Sequence, residues 1–258
     1  MLTRRVLKGR RIAPLTEVER ARLESAIAEV RPVAARTILV HKGEQLEHST
    51  LLLKGFLSRY VDDRQGHRQF VSLHVPGDLV DLQAYPMKLL DHDVAAVSDA
   101  EVAILPHAAI RAITERDAEL ARKLWFATLL DASMHRAWIF RLGRLDAPGR
   151  VCHFLAETGA RLQATGDGQA TRFTLPMTHV DIGEACSLTS VHVSRVLKSL
   201  RDASICTVKD GQVLVQDYPG LVRRGQFDCS YLYLEQPLSS APPTFGERRV
   251  AVADPAQA

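Results

Sequence analysis

Residues 178–203, THVDIGEACSLTSVHVSRVLKSLRDA, carry the densest structural signal in the chain. Thr178 followed three residues later by Asp181 is a capping box, so a helix begins at Thr178. That helix turns Ile182, Ala185 and Cys186 inward. A turn follows at Ser187-Leu188, and Thr189 caps a second helix. There Val193, Val196, Leu197 and Leu200 recur at i, i+3, i+4, i+7, a buried stripe. Ser190, Val191, Ser194, Arg195 and Lys198 fall on the opposite side, a face of short side chains with one arginine and one lysine. Two capped helices around a tight turn, the second with an exposed face, describe a helix-turn-helix. A helical hairpin with a merely solvated face has the same outline, and the next segment separates the two. Residues 205–208, then Asp210-Gly211, then residues 212–216 read as a β-hairpin on a favoured two-residue turn. Placed directly after the second helix, it is the wing of a winged helix.

Working upstream, PGRVCHFLAETGARLQAT at 148–165 is a helix opened by Pro148, followed by a GDGQ loop at 166–169 and a short strand at 172–175. Residues 117–145 form a longer helix with no glycine or proline until Gly143. Leu120, Leu124, Ala127, Met134, Trp138 and Arg141 trace a seam along it at 3- and 4-residue steps if Asp131 fills one gap. A seam on so long a helix needs a partner, either its own β-domain or a second subunit. Trp125, Phe126, Leu129 and Ile139 on the other side favour a second subunit, because one small domain is too little to cover both faces.

Between Val33 and Leu105 the period changes. Short apolar runs (TILV, LLL, FLSRYV, FVSLHV, VAILP) are punctuated by Gly43, Gly55, Gly66 and Gly77, an even turn spacing that predicts an all-β roll or sandwich. Residues 14–30 read as a short helix with Thr16 and Glu19 as its capping box. The fold expected is α+β: an N-terminal β-roll (jelly-roll-like) sensor domain, a long dimerisation helix and a C-terminal winged helix-turn-helix. The expected divisions are a basic N-terminal arm at 1–13, the β-roll at 14–116, the long helix at 117–147, the winged helix-turn-helix at 148–220, and a mostly loose tail at 221–258.

The bulk properties narrow the function. The chain has 258 residues, 24% charged, and a formal charge of only +3, which permits a nucleic-acid partner without demanding one. Local charge says more: Arg4, Arg5, Lys8, Arg10 and Arg11 crowd the start, and Arg136, Arg141, Arg144 and Arg150 form a second basic stretch. No signal peptide and no apolar span of membrane length is visible, so the cytoplasm is the expected compartment. The four cysteines, at 152, 186, 206 and 229, are too scattered for a disulfide framework or a zinc or iron–sulfur site. No phosphate loop, nucleophile elbow or metal-ligand spacing points to an enzyme.

With these elements in hand, the chain resembles the Crp/Fnr family of bacterial transcription regulators over roughly residues 14–220. The likeness is strongest in residues 178–205 and in the wing DGQVLVQD, and moderate in LLLKGFLSRYVDDRQGHRQFVSLHVPGDL. FDCSYLYL also looks like a tail found in a branch that lacks cyclic nucleotide. The resemblance implies that Ser190, Val191, Ser194 and Arg195 face the bases, with Thr178, Thr189 and His192 near phosphate, and Lys198 is a further phosphate candidate. It implies double-stranded DNA, a second copy of the chain and RNA polymerase as partners, and leaves the effector unknown. Two departures stand out. Ser187 occupies a turn position where the family often has glycine. In LVDLQAYPMKLLDHDVAAV, Asp81-Leu82 replaces the Gly-Glu pair of cyclic-AMP binders, and no arginine occurs from 69 to 110. Asp78, Asp81, Asp91 and Asp93, with Lys88 the one strong cation of that stretch, would repel a phosphodiester. No cofactor is expected, although histidines such as His41, His74 and His92 leave haem in view. The rival reading is a cyclic-nucleotide-like ligand-binding or protein-interaction module without DNA binding. It predicts acidic or bulky residues on the second helix face, where Ser190, Ser194, Arg195 and Lys198 stand instead.

Overall fold

The structure, a computed structural model, describes residues 1–235. After a short 3₁₀ turn at Leu2–Arg5, helix α1 (Glu17–Ser25) leads into a β-roll. Its strands are β1 (Glu29–Val33), β2 (Ile38–Val40), β3 (His48–Lys54), β4 (Leu57–Asp62), β5 (Arg68–His74), β6 (Asp93–Ala96) and β7 (Ala100–Pro106), with a single turn of helix, α2 (Ala84–Met87), between β5 and β6. Two antiparallel sheets result, in the orders β1-β7-β3 and β2-β6-β4-β5. The glycine spacing marks the turns for a steric reason. Gly43, Gly55, Gly66 and Gly77 all have positive φ, and a Cβ on Gly55 would stand 2.3 Å from the Asp99 carbonyl.

Helix α1 is capped as its sequence predicts, with Thr16 and Glu19 closing the box. It is shorter than 14–30, because residues from Glu29 onward pair with β7 instead. Helices α3 (His107–Arg116) and α4 (Ala118–Arg144) follow, the second capped by Asp117. The seam of α4 packs within its own chain. Leu120 and Leu124 join the core between α1, α3 and the β-roll, and Met134 and Trp138 join the core shared with the C-terminal half. The opposite side is open: Trp125, Leu129 and Ile139 are 66, 53 and 72% exposed. Phe126 meets Tyr233 edge-on.

The C-terminal half holds α5 (Ala147–Thr165), β8 (Arg172–Thr174), α6 (His179–Cys186), α7 (Ser190–Asp202), β9 (Cys206–Lys209), β10 (Gln212–Val215) and α8 (Tyr218–Gly225), with the wing sheet ordered β8-β10-β9. Helix α5 is buried along nearly its whole length, which makes it the central post of this half.

Two peripheral segments pack more closely than their composition suggests. Residues 1–13 are not a free basic arm. Arg10 is buried and donates to the Leu232 carbonyl, Arg11 donates to the Leu234 carbonyl, and Arg10 bridges Leu234 in strand fashion. Gly77 shows how closely the segment lies on the β-roll, since a Cβ there would reach 2.7 Å from Arg5 backbone. Residues 221–235 are not loose either. They contain most of α8 and a 3₁₀ turn at Cys229–Leu232, and they bury Leu221, Val222, Phe227, Leu232 and Leu234 against α5. The Pro-rich residues beyond 235 lie outside the described part. Arg141, on the seam of α4, is fully buried, its guanidinium stacked 3.9 Å over the Trp138 ring. The apolar content of YLYL and the aromatic cover available to Arg141 overrode what composition alone suggested.

Candidate nucleic-acid interface

The reading unit is assembled from two caps, a strained turn and two arginine staples. At Thr178 the hydroxyl accepts from the Asp181 backbone N–H at 3.2 Å, and the Asp181 carboxylate accepts from the Thr178 N–H at 2.7 Å. Thr189 caps α7 by accepting from the His192 N–H at 3.2 Å. Between the helices Ser187 has φ +56°, the left-handed conformation that a glycine would adopt without strain. A serine there costs about 1 kcal/mol. The turn folds so closely onto α6 that a Cβ on Gly183 would sit 2.4 Å from the Leu188 carbonyl. Val193 and Leu200 of α7 are buried against this core together with Val196 and Leu197.

The last carbonyls of α6 would otherwise lack donors. Arg141 of α4 donates to the Ala185 carbonyl at 2.8 Å, and Arg150 of α5 reaches the Cys186 and Ser187 carbonyls at 3.5 and 3.4 Å. Cations at a helix C-terminus also suit its dipole. The start of α6 is tied to the β-roll. Arg36, in the β1–β2 turn, forms a two-pronged pair with Asp181, and Gln69 of β5 donates to the Glu184 carbonyl at 2.6 Å. Arg36 holds the Asp181 carboxyl below its ordinary range against the opposing effect of burial. None of Arg36, Arg141 or Arg150 was legible as part of the unit, because their partners lie tens of residues away in sequence. Only Gly183 has a local signal, as a glycine inside a helix.

Each predicted site residue can now be placed. Val191, His192, Ser194, Arg195 and Lys198 are exposed on α7 and Ser190 is half-exposed. Among the described residues no carboxylate pairs with Arg195 or Lys198, although each of Arg59, Arg36 and Arg161 has one. Thr189, Val191, His192 and Arg195 line a shallow cleft of about 330 Å³ closed on one side by Pro148. Thr178 stands apart at the start of α6. Both its hydroxyl and that of Thr189 are engaged in capping, so what these positions offer an anion is the positive end of a helix. The wing turns at Asp210 and Gly211, both at positive φ (51° and 71°), as a mirror-image two-residue turn requires.

A β-roll, a long connecting helix and a winged helix-turn-helix whose second helix presents an unpaired basic face define a DNA-binding transcription regulator. Comparison with known proteins agrees. Residues 30–117 match the cyclic nucleotide-binding domain family and residues 149–224 the Crp-like helix-turn-helix domain family. The chain is 24% identical over 208 residues to an anaerobic regulatory protein of Haemophilus influenzae, covering 81% of this chain and 80% of that one. It is 25% identical over 219 residues to the transcriptional regulatory protein btr of Bordetella pertussis, covering 84% and 88%. Its fold superposes on FixK2 of Bradyrhizobium japonicum with TM-score 0.70 and 26% identity, over 76% of this chain and 96% of that one. The chain belongs to the Crp/Fnr family of transcription regulators.

The nucleotide position of that family is built differently from what the acidic stretch suggested. Asp78 and Asp81 do not ring an open site. Asp78 pairs with Arg161 of α5, and Asp81 is fully buried, accepting from the Thr50 N–H. Arg59 of β4, 1% exposed, runs along residues 80–83. It donates to the Val80 carbonyl at 2.8 Å and to the Asp131 carboxylate of α4 at 2.5 Å. The cation missing from 69–110 is thus supplied from β4, already neutralised. Among the described residues no group of three histidine, cysteine or acidic side chains is placed to hold a metal. Among them, too, no helix is long and apolar enough to cross a membrane.

Proposed function

We propose that this regulator binds an inverted-repeat operator as a dimer formed along α4, and does so without cyclic nucleotide. The observation that carries the reading is the face of α7: exposed, slim at its start, and bearing Arg195 with no charged partner among the described residues. In the major groove Ser190, Val191, Ser194 and Arg195 face base edges, and the Arg195 fork matches guanine O6 and N7. Thr178, Thr189, His192 and Lys198 lie toward phosphates. The apolar side of α4, with Trp125, Leu129 and Ile139 open, supports pairing with a second copy. Two reading helices related by a two-fold axis select half-sites about one helical turn apart. The protein works in the cytoplasm, where it reaches DNA and RNA polymerase.

Independence from cyclic nucleotide is supported by Arg59 and Asp131, which fill one another's electrostatic needs beside residues 80–83. A phosphodiester entering there would have to break a buried ion pair and leave Asp131 uncompensated. Selection of bound duplexes from a random pool, with the oligomer measured by light scattering, tests the proposal. An inverted repeat bound by a dimer, unchanged by cyclic AMP or cyclic GMP, is the expected result. A single half-site bound by a monomer, or no enriched sequence, would overturn it.

A further inference from the structure

The opening residues serve neither the reading face nor the α4 surface, yet they bring three cations to one place. We propose that the joint between this N-terminal segment, the end of β5 and α4 is a binding site for a small protonated oxyanion, a phosphate or phosphomonoester group. It is separate from the DNA face. A cavity of about 40 Å³ lies there, walled by Arg5, Lys8 and Arg10 on one side and by His74, Asp78 and Asp131 on the other. One water needs about 10–15 Å³ on this measure, so the space suits a compact ion. Lys8, one of its lining residues, is exposed.

The charges around the cavity leave an anion-shaped deficit. Asp78 is matched by Arg161, Asp131 by Arg59, and Arg5 by Asp167. Lys8 and Arg10 instead donate to carbonyl oxygens, those of Thr165 at 3.1 Å and Leu232 at 2.6 Å. Arg10 is only 4% exposed. Burial, and then the neighbouring Arg161, push its guanidinium down to about 10, against the opposing pull of Asp78 and Glu157. A buried guanidinium that donates to a carbonyl and touches no carboxylate among the described residues gains from a directly bound oxyanion. On the same wall His74 Nδ1 faces the Asp78 carboxylate at 3.4 Å, while the buried Asp131 Oδ1 has no hydrogen-bond partner among the described residues. The carboxylate oxygen can only accept, so it favours a ligand that carries an O–H beside its charge. Hydrogen phosphate has one and sulfate does not.

The site also has leverage. Arg161 behind Asp78 belongs to α5, on which the reading unit is mounted, and the segment that carries Arg10 clamps the C-terminal turn at Leu232. The test is calorimetric titration of the full chain with inorganic phosphate, methyl phosphate and sulfate at matched ionic strength. Saturable heat with phosphate, several-fold weaker with sulfate, is expected. Equal binding of methyl phosphate would identify a phosphomonoester as an acceptable ligand, whereas its exclusion would restrict the site to the free ion. Lys8→Gln, at an exposed position, should weaken phosphate about tenfold, the worth of one charge-assisted hydrogen bond. Arg10→Lys keeps a charge but lacks the fork and should also weaken it. No saturable binding, sulfate binding as well as phosphate, or phosphate affinity untouched by both substitutions would each overturn the proposal.

Discussion

The exposed face of α7 and the buried joint between the β-roll, α4 and α5 are both built on arginines, and they use them in opposite ways. Arg59, Arg141 and Arg161 are among the largest fully buried side chains of the protein. Arg59 and Arg161 each meet a carboxylate, and Arg141 lies over an aromatic ring. Arg195 is exposed and has no partner of either kind among the described residues. The contrast teaches that the role of an arginine follows from whether its charge is already answered. In the joint the guanidinium is a fixed strut, and its removal exposes a buried opposite charge. On α7 the same group is held in reserve, and DNA would be the first anion to answer it. Four outcomes test this division, taken from the largest expected effect to the smallest.

Acid should attack the joint and not the reading face. His74 is pushed down to about 4, first by burial and then by Arg59, against the opposing pull of Asp78 and Asp131. His153 is pushed down to about 4 as well, chiefly by burial. In the unfolded chain each takes a proton near 6.5, but in the folded chain neither does until about 4. Between those values the unfolded state binds more protons, so stability falls as pH is lowered from 6.5 to 4. Each histidine contributes on the order of 3 kcal/mol across that window. Urea unfolding at a series of pH values should show the slope, and His74→Asn should remove part of it, the rest coming from His153 and from His92, His107 and His135, which are lowered as well. A stability flat between pH 6.5 and 4.5 would contradict buried neutral histidines.

Arg161→Met should destabilise the fold by about 3–5 kcal/mol, because Asp78 and the buried Glu157 would both lose their cation. Arg161→Met combined with Asp78→Leu should recover part of the loss, and adding Glu157→Gln should recover more, since it removes the last of the three charges. Chemical unfolding of the single, double and triple variants measures the difference. If the triple variant is no better than the single, the strut is valued for packing rather than charge.

Arg195→Ala should leave unfolding within about 0.5 kcal/mol of the parent, as an exposed side chain away from the core does. On the selected operator it should cost about 1–3 kcal/mol and relax preference at one base pair. Arg195→Lys should not restore binding fully, because an ammonium lacks the planar fork. An equal loss on scrambled duplexes would make Arg195 a backbone contact. Lys198→Ala should show the smallest effect, a similar weakening on all duplexes and a salt slope reduced by about one. Competition binding at several salt concentrations separates these last two residues.

The sequence by itself determined the local elements and their order. The capping pairs Thr16–Glu19 and Thr178–Asp181, the Thr189 cap, the buried stripe of α7, the Asp210-Gly211 turn and the even glycine spacing all act within a few residues of one another. Local hydrogen bonds and φ preferences are sufficient to read them. The positions of Ser190, Val191, Ser194, Arg195 and Lys198 on one face follow from the same helical period. Only the tertiary structure decided where the long-range charges went. Arg36 meets Asp181 across 145 residues, Arg161 meets Asp78 across 83, and Arg10 reaches Leu232 across 222. A run of basic or acidic residues in sequence has no fixed partner until the chain closes. The sequence therefore left Arg10 and Arg141 in basic stretches and Asp78 and Asp81 around a would-be site with no partner assigned, although packing buries all but Asp78 almost completely and ties Asp78 to Arg161. The same holds for the seam of α4, whose period marks which side is apolar, while the choice of which apolar side stays in the chain belongs to the packed β-roll and α5.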